Sequence, residues 1–552
     1  MTLQRFCQRQ VNHIILFAVK VLLIQPPIED FYDTSIRTYP LALLYLAVRI
    51  RDISDVIVMD MRTGHRRVVP GMHPFPDLAD YYRDGVRTPF SFFGRYYRFG
   101  LDKNEIKKEI AKEKPDVVSI SSLFTTYSLE AIEVARLAKE VDRGIVTVMG
   151  GIHPTLFPRH VLESASVDYV IRGEGETPLF ELLTALSRGV AGKDLTINGL
   201  CFKEGGGFRI SEPNIEEDID MIPDRGFLDP AKYRIGRKNY SFLLTSRGCP
   251  FHCSFCGRPS IPYRKRSLGS IEEEIGVFKD LGIGAVDFED DMLNLDPYFF
   301  RHVLDLLNGK GFTLSAMNGI YTGNLDTTAL KRMYEAGFRR LNFSLVDISK
   351  PVMERQKRLF PWNFLSLLPW LEDSPYLVET HFIIGLPDQT PGEILETLIF
   401  LMGKRLLPGP SIFYLAPGSP IFDETVGLNW EDRVRSLRSS AMFPVNPLIP
   451  RDTLFTFMKL TRFINYVKNL ADLEPGVKRL SDLAGRLPAG VSPIDWEIVS
   501  TLVRERRFVS YDPGRRQFQE EPQDASLVKR FFEQSKGLAV RGFRTSHSLK
   551  MD

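Results

Sequence analysis

Cysteine is scarce in this chain, with five residues among 552. So few cysteines cannot form a disulfide framework for a protein of this length. Net charge is almost absent as well, because 71 basic and 69 acidic side chains leave a formal charge of +2. This balance argues against binding of nucleic acid over a large surface. The remaining composition, 43% hydrophobic and 25% charged, is that of globular domains and excludes a disordered or collagen-like chain.

Long apolar runs are also missing. A membrane-spanning helix needs about 20 apolar residues, and the best candidate, Val11–Pro27, is interrupted by His13 and Lys20. No small-residue cleavage site follows this run, as a signal peptide would require. We therefore expect no membrane span and a cytoplasmic location, where thiols stay reduced.

The length predicts about three or four domains, and the first part of the chain alternates strand and helix patterns. Five short apolar runs have the character of buried parallel strands: Lys20–Gln25, Val56–Asp60, Asp116–Ser121, Ile145–Met149 and Val167–Ile171. Helical patterns lie between or after them, at Pro40–Arg51, Ser128–Val141 and Glu176–Arg188. This alternation predicts an α/β domain with a doubly wound, Rossmann-like parallel sheet.

A second alternating series follows a connector whose Gly205–Gly207 run predicts a hairpin turn. Its six predicted strands are Ser241–Thr245, Ala285–Glu289, Thr313–Met317, Leu341–Leu345, Val378–Ile384 and Ile412–Leu415. Six strand–helix units suggest a partial or full βα-barrel with its site at the carboxyl ends of the strands. The predicted division is an N-terminal extension (1–18), the sheet domain (19–190), the connector (191–238), the barrel domain (239–430) and a mainly helical C-terminal region (431–552).

Three of the five cysteines lie within eight residues, immediately after the first strand of the second series. Cys249, Cys253 and Cys256 have the spacing C-x3-C-x2-C. Three thiolates can ligate three irons of a [4Fe–4S] cluster and leave the fourth iron open to a substrate or cofactor. A zinc site with His252 as the fourth ligand is the alternative, although zinc ligands usually come in two spaced pairs. Three unrelated buried thiols would be a coincidence.

With Phe255 before its last cysteine, this motif resembles that of the radical S-adenosylmethionine (SAM) superfamily, and the resemblance extends over residues 240–425. It implies that the open iron binds SAM and that electron transfer cleaves SAM to a 5′-deoxyadenosyl radical. The SAM contacts it implies are Phe255, Asp290, Asp291, Ser344 and Gly385. Asp290 and Asp291 have an alternative interpretation as caps of the next helix. The segment from Gly385 to Thr390 resembles the family's Gly-Leu-Pro-Gly-x-Thr segment, except that Asp388 replaces its second glycine. Arg258, Arg264 and Arg266 could hold carboxylates or form a solvated loop.

Residues 20–188 resemble the cobalamin-binding domain that precedes many radical SAM domains. The resemblance rests on Gly150–Thr155 and Arg172–Glu176 in particular, whose glycines allow a bulky ligand to approach the sheet edge. The cobalamin contacts it implies are Ser121, Ser122, Thr125, Gly150, Gly151, His153, Pro154, Thr155, Gly173, Glu174, Gly175 and Glu176. The alternative is a sheet that only packs.

A cobalt-ligating Asp-x-His-x-x-Gly motif is missing after the first strand, so we expect cobalamin to bind without a protein histidine ligand. His65, in the loop after the second strand, is the alternative ligand.

Together the two resemblances imply a cobalamin-dependent radical SAM methyltransferase that methylates an unactivated carbon through methylcobalamin. Its expected partners are a small-molecule or peptide substrate and an electron donor of the flavodoxin or ferredoxin type. Two other hypotheses stay open: a cyclase, ring-rearranging or oxidising enzyme without methyl transfer, and a non-catalytic cobalamin or metal sensor. The aromatic segment at 85–100 is expected in a core or interdomain contact rather than in the substrate cavity.

Overall fold

A computed structural model describes residues 7–11, 14–32, 39–64, 66–69, 75–257, 261–422, 430–474, 476–485, 487–488 and 490–544. For residues 7–18 and 193 it describes the backbone only. Three residues considered above, His13, His65 and Arg258, lie outside the described residues. Within the described ranges, no helix combines the length and the apolar character that crossing a bilayer requires.

The N-terminal part of the chain alternates strands and helices. Its elements are β1 (Cys7–Val11), β2 (Ile14–Gln25), β3 (Ile28–Asp30), α1 (Leu41–Ile50), β4 (Ser54–Asp60), β5 (Arg66–Val68), β6 (Tyr97–Phe99), α2 (Lys103–Glu113), β7 (Val117–Ser121), α3 (Ser128–Val141), β8 (Val146–Gly150), α4 (Ile152–Leu156), α5 (Pro158–Glu163), β9 (Tyr169–Ile171), α6 (Glu176–Ser187), β10 (Leu200–Glu204) and β11 (Gly207–Arg209). β2 begins six residues before the predicted strand, and its first half pairs antiparallel with β1.

The main sheet has the order β4-β2-β7-β8-β9-β10-β11. Its first five strands are parallel, which confirms the predicted doubly wound sheet. Successive side chains of β2 face opposite sides: Leu22 and Ile24 join the core under α2 and α3, and Val21 and Leu23 join the core under α1 and α6. The predicted hairpin, β10–β11, extends the sheet antiparallel to β9.

The second series of strands and helices begins after the connector. Its elements are β12 (Arg234–Ile235), β13 (Lys238–Leu243), β14 (Ser246–Arg247), β15 (Arg264–Lys265), α7 (Leu268–Asp280), β16 (Ile283–Phe288), α8 (Pro297–Leu307), β17 (Thr313–Ser315), α9 (Thr327–Ala336), β18 (Arg340–Val346), α10 (Lys350–Arg355), α11 (Trp362–Glu372), β19 (Leu377–Ile384), α12 (Pro391–Met402) and β20 (Leu407–Ile412). Parallel strands β13-β16-β17 and β18-β19-β20 form two sheets. Isolated parallel bridges at Leu314–Phe338 and Ile320–Phe343 join them into a partial barrel.

The last barrel strand lies five residues earlier than predicted. We expected Ile412–Leu415, whereas β20 covers Leu407–Ile412. Its Pro408 and Pro410 are typical of a loop, because proline cannot donate to a strand ladder. An end strand tolerates them, and β20 is an end strand of its sheet.

The C-terminal region is mainly helical, as predicted. It contains α13 (Trp430–Ser436), α14 (Arg451–Leu473), α15 (Pro493–Glu505), the hairpin β21 (Val509–Asp512) and β22 (Gln517–Glu520), and α16 (Ala525–Gln534). Sequence patterns did not reveal this hairpin. The aromatic segment at 85–100 packs against this region, because Phe90 contacts Phe463 and Phe92 contacts Phe455. It is therefore a core contact, as expected.

Candidate active site

The three clustered cysteines lie in a loop whose two ends are joined. β14 pairs antiparallel with β15, so that Arg247 faces Arg264 at the neck of a loop running from 248 to 263. Gly248 has φ +87°, and a Cβ there would lie 2.4 Å from the carbonyl oxygen of Pro262. Only glycine fits this conformation and this close approach, so Gly248 fixes how the chain enters the cysteine loop.

Cys253 is buried, whereas Cys249 and Cys256 are partly exposed. The N–H of Cys256 donates to the carbonyl oxygen of Cys253 over 3.1 Å. One guanidinium nitrogen of Arg358 lies 3.6 Å from Cys253 Sγ. A cation beside a thiol favours the thiolate, which is the form that ligates metals.

The loop suits an iron–sulfur cluster better than the zinc alternative. His252 is exposed while its neighbour Cys253 is buried, so the two side chains do not point into one common site as ligands of a single zinc ion would. Across the described residues, no three His, Cys, Asp or Glu side chains converge on the position of a single ion. In a [4Fe–4S] cluster each thiolate ligates a different iron, so such convergence is not required.

Asp290 and Asp291 hold the start of the cysteine loop. Asp290 is 1% exposed and accepts hydrogen bonds from the hydroxyls of Thr245 (2.6 Å) and Ser246 (2.5 Å). Burial raises the pKa of Asp290. Asp291 accepts a hydrogen bond from the backbone N–H of Gly248 over 3.1 Å. The helix-cap interpretation is wrong, because the side chain that caps α8 is that of Asp296.

Ser344 lies close to the cysteine loop, and Phe255 is part of that loop. Ser344 is exposed near the carboxyl end of β18 and lines a cavity of about 340 Å³. Arg358, which contacts Cys253, lines the same cavity. Phe255 packs in a small apolar cluster with Val346 and Leu386. A ligand in this cavity would therefore lie beside the cysteine loop.

Gly385 belongs to a turn that is fixed from inside the protein. It has φ +92°, and its N–H donates to the side-chain oxygen of Gln389 over 2.9 Å. Gln389 is fully buried and donates in turn to Asp347 over 2.7 Å. Asn446, from the C-terminal region, donates to the carbonyl oxygen of Leu386 over 2.7 Å. No sequence pattern singled out Gln389, Asp347 or Asn446, because their partners are distant along the chain.

The predicted cobalamin contacts of the sheet domain meet at the carboxyl ends of β7, β8 and β9. The N–H of His153 donates to the carbonyl oxygen of Ser122 over 3.2 Å. Thr155 donates its hydroxyl to the carbonyl oxygen of Gly151 (2.7 Å) and accepts the N–H of Gly173 (2.8 Å). The remaining members of this group lie at the same three strand ends: Ser121 and Gly150 end β7 and β8, Thr125 follows β7, Pro154 lies in α4 after β8, and Gly175 lies between β9 and α6.

Several buried polar atoms at this edge have no hydrogen-bond partner among the residues that the structure describes. They are Ser122 Oγ, Thr126 Oγ1, Ser128 Oγ and both ring nitrogens of His153. His153 is fully buried, and burial lowers its pKa to about 3, so the ring is neutral at physiological pH. Buried polar groups are almost always hydrogen-bonded. A bound group with several donors and acceptors, such as the nucleotide tail of cobalamin, therefore fits this edge.

Glu174 and Glu176 point toward the cysteine loop. Glu174 forms ion pairs with Arg247 (3.1 Å) and Arg264 (2.8 Å), and Glu176 pairs with Arg247 over 2.7 Å. Arg264 thus holds a carboxylate, as considered above, but one from the protein itself. Arg266 behaves likewise and pairs with the buried Glu274.

The edge of the sheet adjoins the cysteine loop, because a Cβ added at Gly418 would lie 2.9 Å from Leu156 Cδ2 and 3.2 Å from the carbonyl oxygen of Gly257. Burial and the nearby Asp30 and Tyr414 raise the pKa of Tyr32, which follows β3, to about 12. Burial and the nearby Cys256 raise the pKa of Tyr414. Tyr414 nevertheless keeps 37% of its surface accessible. Leu156 lies in α4 after β8, Gly418 follows β20 and Gly257 follows Cys256, so the sheet domain, the barrel and the cysteine loop meet at this point.

Two protein-family models match this chain, one after the other along the sequence. The B12 binding domain matches residues 95–183, and the Radical SAM superfamily matches residues 243–401. A solved structure of the radical SAM methyltransferase TsrM from Kitasatospora setae, with cobalamin and a [4Fe–4S] cluster bound, is similar with a TM-score of 0.58. The match has 18% identity and covers 80% of this chain and 91% of TsrM, which establishes a shared fold.

Two curated relatives differ in their reactions. An uncharacterized methyltransferase from Pyrococcus horikoshii is 28% identical over 429 residues, which are 74% of this chain and 84% of the relative. An anaerobic magnesium-protoporphyrin IX monomethyl ester cyclase from Rubrivivax gelatinosus is 29% identical over 344 residues, which are 58% of this chain and 60% of the cyclase.

Proposed function

Because this chain is a radical SAM enzyme with a B12-binding domain ahead of its radical SAM domain, we propose that it is a cobalamin-dependent methyltransferase. The two domains imply a [4Fe–4S] cluster, SAM and cobalamin as cofactors. A methyltransferase is favoured because the Pyrococcus horikoshii relative and TsrM both carry that name. The acceptor is a carbon of a small molecule or peptide.

One observation carries this proposal. The carboxyl edge of the sheet carries buried polar atoms with no hydrogen-bond partner among the described residues, and it adjoins the loop of three cysteines where Leu156, Gly418 and Gly257 meet, so two cofactors can flank one substrate. When bound, the cluster supplies the electron that cleaves SAM, and cobalamin carries the methyl group. Holding the reactants side by side is the protein's main contribution to such a reaction.

The assignment of residues to these cofactors is part of the proposal. Cys249, Cys253 and Cys256 hold the cluster, and Arg358 contacts the sulfur of Cys253. SAM lies beside Ser344 and Phe255, while Asp290, Asp291 and Gly385 shape the loops around it. Ser122, His153 and their neighbours at the ends of β7 and β8 hold the nucleotide tail. Their burial and their unpartnered atoms support this assignment.

We place the reaction in the cytoplasm, with an electron donor of the flavodoxin or ferredoxin type, because the cluster needs a low-potential electron for each SAM cleavage. The domain boundaries of 19–190 for the cobalamin-binding domain and 239–430 for the radical SAM domain are kept as part of this proposal. A cyclase or oxidising reaction without methyl transfer is the second candidate, because the Rubrivivax gelatinosus relative is a cyclase.

The test uses the full chain, reconstituted anaerobically with iron, sulfide and cobalamin. We expect about four irons and one cobalamin per chain. With a reductant and methyl-labelled SAM, a methyltransferase transfers label to cobalamin and releases S-adenosylhomocysteine, and it also forms 5′-deoxyadenosine. Release of 5′-deoxyadenosine without S-adenosylhomocysteine would favour the cyclase class instead. A chain that binds zinc and no iron would refute both.

Cysteine variants supply the matched control for this experiment. Cys253→Ala removes a predicted cluster ligand and should abolish iron binding and 5′-deoxyadenosine formation. Cys201→Ala removes a buried cysteine of the sheet-domain core, outside the loop, and should retain both.

A further inference from the structure

The neck of the cysteine loop is tied to the cobalamin-binding domain by four charged side chains. Arg247 and Arg264 face each other across the β14–β15 pair. Glu174 and Glu176 extend from the β9–α6 loop of the other domain and meet them. We call these four residues the interdomain clamp. Arg247 is only two positions before Cys249, so the clamp contacts the loop where it begins.

The geometry of the clamp is specific. Both terminal nitrogens of Arg264 lie 2.8 Å from the two oxygens of Glu174, a bidentate pair. Arg247 divides its two nitrogens between Glu174 (3.1 Å) and Glu176 (2.7 Å) and lies over the ring of Tyr45. A bidentate guanidinium–carboxylate pair fixes direction as well as distance. Such contacts define an orientation rather than a loose attraction between surfaces.

The clamp is enclosed, and its acidic side has its own support. The four side chains are between 9% and 16% exposed. Burial alone would raise the pKa of Glu174. Hydrogen bonding to Arg264 and the charge of Arg247 outweigh this effect and hold that pKa below its usual value. The Glu174 carboxylate also accepts the backbone N–H of Glu216 over 2.6 Å.

The connector locks the backbone of the acidic loop as well. Gly173 has φ +81°, and a Cβ there would lie 2.1 Å from the carbonyl oxygen of Asn214. The N–H of Glu174 donates to the same carbonyl oxygen over 2.9 Å. The carboxylates are therefore presented by a rigid loop, so a change in the clamp would move the cysteine loop and not the sheet.

We infer that the interdomain clamp sets the distance and orientation of the cluster, with its SAM, relative to cobalamin. Glu174, Glu176, Arg247 and Arg264 are positioning residues: they act through the cysteine loop and through the β9–α6 loop. This inference rests on the proposed function only for the identity of the two cofactors. Its consequence is that loss of the clamp uncouples SAM cleavage from methyl transfer, because SAM at the cluster and the methyl group on cobalamin are no longer held at the distance and orientation that the reaction needs.

The test compares the reconstituted full chain with the double variant Glu174→Gln/Glu176→Gln, which removes both carboxylate charges with little change of shape. Pulsed EPR measures the distance between the reduced cluster and cob(II)alamin, and all values are normalised to iron and cobalamin content. We expect one narrow distance in the unmodified protein and a distribution at least twice as wide in the variant. With methyl-labelled SAM as the probe, the ratio of labelled methylcobalamin to 5′-deoxyadenosine should fall at least fivefold.

The controls separate a positioning role from general loss of structure. Asp305→Asn removes one charge from an exposed ion pair with Arg332 in the barrel and should leave the distance distribution unchanged. Arg264→Lys keeps the charge but loses the bidentate geometry, so it should broaden the distribution to an intermediate width. If the double variant does not fold, Glu176→Gln, whose carboxylate pairs with Arg247 alone among the clamp residues, replaces it.

An unchanged distance distribution in the clamp variants would overturn the inference. So would a parallel fall of both products at an unchanged ratio. Failure of the proposed function has a different signature: the unmodified protein would form no labelled methylcobalamin, while its cluster–cobalt distance could still be measured and compared with that of the variants.

Discussion

Replacing Gly257 by alanine should displace the cysteine loop without straining its backbone. Gly257 follows Cys256 directly and does not have a positive φ, so alanine can adopt its conformation. A Cβ at this position would lie 2.1 Å from the carbonyl oxygen of Pro417, more than 1 Å inside the 3.4 Å at which ordinary contact begins. Because the obstacle is backbone, the loop has to move by about 1 Å.

A displacement of this size near reacting groups lowers rates by about 100-fold. We expect Gly257→Ala to form 5′-deoxyadenosine at least tenfold more slowly per chain than the unmodified protein and to hold fewer irons. Iron and sulfide analysis and anaerobic product assays measure both quantities. Gly276→Ala is the matched control, because this position in α7 has nothing within 4 Å of an added Cβ. It should stabilise the helix by about 1 kcal/mol.

The reasoning would be refuted if Gly257→Ala matched Gly276→Ala in iron content and in rate, within about a factor of three. Such a result would mean that the segment around Pro417 can yield, and that the close approach of the two loops does not constrain the cluster.

Three further predictions follow from buried charges. Glu274 is fully buried and pairs with Arg225 and Arg266, so Glu274→Gln should lower the free energy of unfolding by about 3 to 5 kcal/mol. The exposed Glu273 is the control, and Glu273→Gln should change that free energy little. At about 3 kcal/mol per molar urea, the urea midpoint of the Glu274 variant should fall by at least about 1 M. His153, whose pKa is about 3, is neutral when folded but titrates near 6.5 when unfolded. The free energy of unfolding therefore decreases as pH falls below 6.5, by about 2 kcal/mol at pH 5. In urea titrations at pH 7.5 and pH 5, the free energy of unfolding of His153→Phe should decrease by about 2 kcal/mol less than that of the unmodified protein. Arg358→Gln removes the cation beside Cys253, so the cluster's midpoint potential in an EPR redox titration should fall and SAM cleavage should slow several-fold.

Each of these has a contrary outcome. Equal urea midpoints for the Glu274 and Glu273 variants would show that the arginines find other partners. The same acid sensitivity with and without His153 would mean that its ring can be protonated in the folded protein. An unchanged midpoint potential would place Arg358 outside the electrostatic surroundings of the cluster.

Much of the fold was predictable because its signals are local. The parallel strands of the main sheet are continuous apolar runs, and α3 begins and ends where the periodicity indicated. The prediction failed at β20, where prolines that normally mark a loop lie in an end strand of the sheet. It also missed the hairpin β21–β22, although Asp512-Pro513-Gly514 at its connection is a turn signal.

The candidate site divides in the same way. The spacing of Cys249, Cys253 and Cys256 is a local pattern, so the sequence by itself predicted the cluster ligands and determined the order of the two domains. Glu174 and Gln389 have no comparable signal, because their partners lie far along the chain or on another face of the fold. The glycines and acids of Arg172–Glu176 suggested a ligand contact. Only the tertiary structure decided that the two acids join the domains, because an ion pair across about 70 to 90 residues exists only after both domains have folded and met.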